Sequence, residues 1–260
     1  MTGNSSLYWA VSDSVTMIGR SLRHTRRNLD ALLLAVMLPA ILLLLFVYVF
    51  GGAITTGFAE YINYVVPGII LLCTGYGASS TAVSVANDMV TGIVDRFRSL
   101  PILSSAMLTG HVVASVARNA FATAIVIGLA FLMGFRPSAE PIEWLAVIGL
   151  LLLFILAMSW LAVTLGLLAG SVEGASGFTF VILFLPYLSS AFVPTETMPS
   201  ALHAVAENQP ITPMIETVRG LLMGTPIGNS ALLALAWFGG ILIVAYLLSA
   251  RLFQRRAVRG

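Results

Sequence analysis

Few residues in this chain could do chemistry, and their spacing argues against catalysis. Of 260 residues, eleven are acidic, three are histidine (His24, His111 and His203) and one is cysteine, Cys73. Metal ligands must converge on one ion, but the long apolar runs between the histidines place them in different compartments. They form no common metal site, and no nucleophile–base arrangement is legible. One cysteine permits no intrachain disulfide, and nothing indicates an oxidising compartment. All thirteen basic residues are arginine, whereas a P-loop needs a lysine to reach the β/γ-phosphates. The chain therefore cannot hydrolyse ATP by that route, and any ATP-driven work requires an ATPase on another subunit.

Composition explains why chemistry is so sparse. Only 9% of residues are charged and 58% are apolar, where a soluble domain carries about 25% charged residues. Mean hydropathy is +0.98. These values exclude a soluble globular enzyme and a disordered chain. A net charge of +2 cannot furnish a broad phosphate-binding face, so nucleic acid is not an expected partner. A bilayer core of roughly 30 Å needs about 20 apolar residues per helix, and several such runs are present. The fold class is an all-α polytopic membrane protein in contact with lipid.

No cleavable signal peptide is expected in residues 1–30, whose polar, arginine-containing sequence leads into an apolar run too long for an h-region. Leu7, Val11, Val15, Ile18 and Leu22 recur at helical spacing, with Arg20, Arg23 and Arg27 on the other side. That pattern fits an amphipathic helix in the membrane interface; a cytosolic helix packed on a partner has the same pattern. Residues 31–250 hold six spans: Ala31–Phe50, a run within Tyr61–Asn87, then Ser105–Phe135, Trp144–Gly170, Gly177–Val193 and Ala231–Ala250. Residues 251–260 form a basic tail. Ten arginines fall on one side of this topology, in the N-terminal segment, the loop after span two and the tail. The other side has Arg136 and Arg219. The positive-inside rule puts both termini in the cytoplasm, in a cell or inner membrane. Between spans five and six, two short helices are predicted to enter the outer leaflet or pack on the bundle. The first begins at Pro199-Ser200, with Leu202, Val205 and Ala206 on one face. The second is capped by Thr212, starts at Pro213 and stops at Gly224.

Several polar, small and aromatic positions stand out within this frame. Arg118-Asn119 lies inside span three, where a charge is costly, unless Arg118 snorkels to the cytoplasmic interface. Glu216 and Arg219 are three apart and can pair on the second outer helix. Gly166, Gly170 and Gly174 make two GxxxG steps for close helix approach. Tyr76 and Ser79 in span two, with Phe180, Phe184 and Tyr187 in span five, suit a cavity for flat amphipathic molecules. The segment GIVDRFRSLPI, Gly92–Ile102, places Ile93, Phe97 and Leu100 on one helical stripe and Asp95, Arg96 and Arg98 on other faces. Pro101 ends that helix. Such a helix can dock in a groove of a soluble partner, and the same charges also describe an ordinary positive-inside loop.

This last segment, preceded by Asn87-Asp88-Met89, resembles the cytoplasmic motif of type-2 ABC exporter permeases of the daunorubicin/doxorubicin-resistance family. The likeness extends to GHVVASVARNAF (Gly110–Phe121), LMGFRP (Leu132–Pro137), YLSSAFVPTETMP (Tyr187–Pro199) and QPITPMIETVRGLL (Gln209–Leu222). It implies a permease that dimerises and binds two copies of a separate P-loop ABC ATPase, the subunit that would hold ATP and magnesium. By the same likeness the loop after span two is the coupling helix. Ile93, Asp95, Arg96, Phe97, Arg98 and Leu100 would then transmit ATP-driven closure to the spans. Asp88, Met89 and Val90 stand where many relatives carry glutamates. The expected function is export of hydrophobic or amphipathic small molecules. Export of a lipid-linked glycan by the same fold is the alternative, and an ATPase-independent secondary transporter or channel a more distant one.

Overall fold

One helix organises the bundle. In the computed structural model, which describes residues 29–54, 60–92 and 104–259, α2 (Tyr61–Val90) is a single 30-residue rod buried from Tyr61 to Ala86 along most of its length. α1 (Leu29–Leu44, continued by a π-helical turn over Leu45–Phe50), α3 (Ser104–Leu132), α4 (Pro141–Leu168) and α5 (Val172–Phe184) all pack on it. α6 (Ser200–Asn208) and α7 (Ile211–Met223) follow, and α8 (Ser230–Arg259) lies against α4 and α7. No strand occurs among the described residues. Residues 1–28, with most of the expected interface helix, lie outside the described residues, as do 93–103, with the expected coupling helix.

Among the described residues, four helices are long and apolar enough to cross a bilayer: α2, α3, α4 and α8. They match the expected second, third, fourth and sixth spans to within a few residues. The expected first and fifth spans coincide with shorter apolar helices, Ala35–Phe50 and Val172–Leu188. α5 begins at Val172, not Gly177, because Ser171 caps it by accepting from the Gly174 N–H at 3.0 Å. It then tightens into a 3-10 turn, Leu185–Leu188, at Pro186, which has no N–H to donate. α8 runs unbroken through Arg251 to Arg259, so the stretch expected as a basic tail continues the helix of the last span.

Between hydrocarbon-embedded helices there is no hydrophobic driving force, so close packing of small residues holds them together. Gly166 on α4 meets α2: an added Cβ there would lie 2.6 Å from the Ala82 carbonyl and 2.9 Å from the Val85 Cβ. The expected GxxxG ridge does not extend further. α4 ends at Leu168 and Ala169 is extended, which throws Gly170 into a turn and Gly174 onto α5. A second close contact is Gly68, where an added Cβ would come within 2.6 Å of the Ala191 Cβ. A second core, at the end that carries the α2–α3 loop, joins α2, α3, α4 and α8 through Val85, Met107, Val112, Val163, Leu167 and Phe253.

The outer helices differ from expectation in one cap. α7 starts at Ile211 with no side-chain cap, because Thr212 is used elsewhere. Its Oγ1 donates to the Ala206 carbonyl at 2.5 Å and accepts from the Ser190 N–H at 3.4 Å. Gly224 ends α7 as expected, at φ +67°, a left-handed conformation that favours glycine. On α6, Ala206 is buried while Leu202 and Val205 are exposed. Gly166→Ala should lower stability in detergent by about 1–3 kcal/mol through overpacking. Gly170→Ala, whose Cβ meets nothing within 4 Å, should leave it unchanged; thermal unfolding of the two variants checks the difference.

Candidate functional site

The end of the bundle away from the α2–α3 loop is tied together by a buried cation. Arg219 is 6% exposed. Its Nε donates to the Tyr64 carbonyl at 3.1 Å and its Nη2 to the Ser190 carbonyl at 2.6 Å. Its guanidinium carbon sits 3.8 Å from the centre of the Tyr64 ring, a desolvated cation–π geometry. Burial pushes the Arg219 pKa down, opposed by Tyr64, Glu216 and Tyr61. The expected Glu216–Arg219 pair does not form. The buried face of α7 turns Arg219 toward two carbonyls and a ring, leaving half-buried Glu216 to accept from Ser230 Oγ at 3.0 Å.

Around this cation the segment after α5 is held on every side. Tyr61 donates its hydroxyl to the Phe192 carbonyl at 2.8 Å. Gln209 Nε2 donates to the Leu185 and Leu188 carbonyls, both at 3.1 Å. The Ser138 N–H donates to the Leu222 carbonyl at 2.9 Å, tying the loop after α3 to α7. Sequence reasoning singled out Arg219 but not its partners. Tyr64 is 155 residues away in the chain, and no local spacing connects them.

The candidate path residues divide into two places. Phe180, Phe184 and Tyr187 form a run of rings, with centroids 4.9 Å and then 6.1 Å apart. Tyr187 adjoins Tyr76 and stacks on Phe192 at 5.3 Å, which stacks on Phe46 at 4.2 Å. Phe180 is 61% exposed and Phe184 51% exposed. Ser79 belongs to a separate apolar cleft of about 220 Å³ between α2, α4 and α5, lined also by Gly75, Ala78, Met158, Ala162 and Thr179. Most of that space is open to solvent; its enclosed part, about 10 Å³, has room for about one water, far below the roughly 300–1,000 Å³ of sites that enclose a drug-sized ligand.

Arg118 and Asn119 sit on α3 against α2. Arg118 Nη2 donates to the Gly77 carbonyl at 2.8 Å and to Thr81 Oγ1 at 2.9 Å. Asn119 is fully buried. Its amide packs on Gly77, where any Cβ would collide with it, and donates to Ser115 Oγ at 3.2 Å. Ser159 on α4 donates to the same Ser115 oxygen at 2.8 Å. A polar seam thus joins α2, α3 and α4.

Ile93, Asp95, Arg96, Phe97, Arg98 and Leu100 lie outside the described residues, but the stems of their loop are described. α2 ends at Val90, Gly92 takes φ +69°, and α3 starts at Ser104. Near the base, Asp88 and His111 meet at 3.1 Å across the two helices. The pairs Asp88–His111 and Thr81–Arg118 sit symmetrically about position 99–100, as an antiparallel hairpin requires. Asp88–His111 was not anticipated; its mirrored distance from the loop centre is the signal that could have found it. On α6, His203 meets Glu207 at 3.3 Å. No metal-binding cluster occurs among the described residues, and His24 lies outside them.

An all-helical membrane bundle with these motifs defines the class. The ABC-2 type transporter family model matches residues 14–223, and the chain belongs to that family. It is 31% identical over 248 residues to the daunorubicin resistance ABC transporter permease protein DrrB1 of Streptomyces coeruleorubidus, covering 95% of this chain and 88% of that protein. It is 23% identical over 235 residues to the probable doxorubicin resistance ABC transporter permease protein DrrC of Mycobacterium tuberculosis, covering 90% of this chain and 85% of that protein.

Arg219→Met removes two charge-assisted hydrogen bonds and should cost about 2 kcal/mol or more of stability. Glu216→Gln keeps an acceptor for Ser230 and should cost less than about 0.5 kcal/mol. Thermal unfolding of the purified variants distinguishes the two.

Proposed function

We propose that this chain is the membrane subunit of an ATP-driven exporter of hydrophobic or amphipathic small molecules. The observation that carries the reading is the likeness to a daunorubicin resistance permease across 95% of the chain. With no lysine in the sequence, ATP and magnesium belong to a separate P-loop subunit, of which two copies would serve a homodimer of this chain. α1 and α5 complete six spans, with both termini in the cytoplasm. Cargo enters from the cytoplasm or inner leaflet and leaves on the outer side.

The cleft beside Ser79 is too small to enclose such a cargo alone, and Phe180 and Phe184 are exposed on α5. Both features support a path completed by a second copy. At the cytoplasmic end, the α2–α3 hairpin presents the coupling residues on two long helices. ATP-driven closure pushing on Phe97, Arg98 and their neighbours would tilt α2 and α3 together.

Phe97→Asp places a charge on the apolar stripe of the coupling helix. Loss of one buried aromatic anchor should weaken ATPase association at least about tenfold and abolish transport, while membrane insertion is unchanged. Pull-down of the ATPase and cargo efflux in the same cells measure both. Association and transport at wild-type levels would refute the coupling assignment.

A further inference from the structure

Arg118 is only partly satisfied. A guanidinium offers five N–H donors. Nη2 uses its two on Gly77 and Thr81, while Nε is buried without an acceptor and Nη1 meets none among the described residues. No carboxylate pairs with it there, and Asp88, the acid on the facing helix, is engaged with His111. An arginine in apolar surroundings faces an interior partner or a watery cavity, or it snorkels to the interface.

The surface beyond Arg118 identifies what could meet it. Phe121 and Ile125 follow at i+3 and i+7 on the same face of α3, 59% and 40% exposed, and Ala117, Ala120 and Ala124 beside them are exposed too. From Arg118 to Leu132, where α3 ends, the helix rises about 21 Å of a hydrocarbon core of roughly 30 Å. In the orientation proposed above, the guanidinium lies near the inner edge of the hydrocarbon, with an apolar ladder rising toward the bilayer centre. A cation below an apolar track is complementary to a molecule with an anionic head and an apolar tail.

We propose that Arg118 is a binding site for an anionic amphiphile. Its phosphate or carboxylate oxygens would accept from Nη1, and its chain would lie along Phe121 and Ile125. The head could belong to an inner-leaflet phospholipid or to an acidic cargo, since the chemistry is the same. The inference rests on the membrane reading, but not on an ATPase partner.

The test uses the full chain in dodecyl maltoside and native mass spectrometry, with dodecyl phosphate, dodecyl phosphocholine and inorganic phosphate as probes. Wild type should retain dodecyl phosphate about tenfold more tightly than dodecyl phosphocholine. Arg118→Gln should remove that preference and Arg118→Lys keep part of it, with elution volume unchanged and a thermal midpoint lowered by the lost bonds to Gly77 and Thr81. Phe121→Ala should weaken dodecyl phosphate binding without affecting inorganic phosphate. That variant and the wild-type preference decide the matter if Arg118→Gln does not fold.

Equal retention of both detergents by wild type, or a preference that survives in folded Arg118→Gln, would overturn the proposal. So would inorganic phosphate binding as tightly as dodecyl phosphate, or a cross-link seating a second copy on residue 118. Co-purified phosphatidylglycerol lost in Arg118→Gln assigns the head to lipid. Arg118-dependent stimulation of ATP hydrolysis by dodecyl phosphate in the complex with its ATPase assigns it to cargo. Either result supports the site, and failure of the binding arms leaves the ATPase-driven reading standing.

Discussion

A polar group carried into hydrocarbon must find its partner inside the protein, and in this bundle the partner is repeatedly α2. Arg219 reaches its backbone at Tyr64, and Arg118 reaches it at Gly77. Cys73 in its middle lies 3.6 Å from the Ala35 carbonyl of α1. A carbonyl has two lone pairs, so an α2 oxygen already engaged in the helix can accept a second donor. The Gly77 oxygen is shared between Arg118 and the Ser80 hydroxyl. Small residues make the approach close enough, Gly68 for the loop at Ala191 and Gly166 for α4. Removing α2 from this position would strand two arginines in apolar surroundings.

The same helix connects the two ends that a transporter must couple. At about 45 Å, α2 runs from the Arg219 assembly to the loop that carries Phe97 and Arg98. Its first turns are fixed by Tyr61, Tyr64 and Gly68, and its last by Asp88 against His111. In the proposed mechanism, a rod held at both ends would carry a tilt imposed at its base to the Arg219 assembly, where α7 and the segment after α5 are tied to it. Alternating access by rocking of rigid pieces needs such a connection.

Length and hydropathy made α2, α3, α4 and α8 legible, because a long apolar run with at most an isolated charge has few fates other than a membrane span. Gly224 was legible as a stop for the same local reason. The misreadings share a cause of a different kind. Glu216 and Arg219, Thr212 as a cap, and the Gly166–Gly174 ridge were each inferred from spacing along one helix. In the structure Arg219 and Thr212 answer to partners on other segments, and the ridge is cut where α4 ends at Leu168. Phe46 and Phe192, which extend the aromatic run, carried no signal beyond being apolar. Sequence periodicity reports which face is buried, not what waits on the other side of it.

On the function proposed above, this membrane subunit works only with a separate ATPase. The direct measurement is purification of the tagged chain from its own host in mild detergent, with mass spectrometry of everything that remains bound. A P-loop ATPase should be present in a stoichiometric amount. A stable homo-oligomer that transports without any ATPase would contradict it.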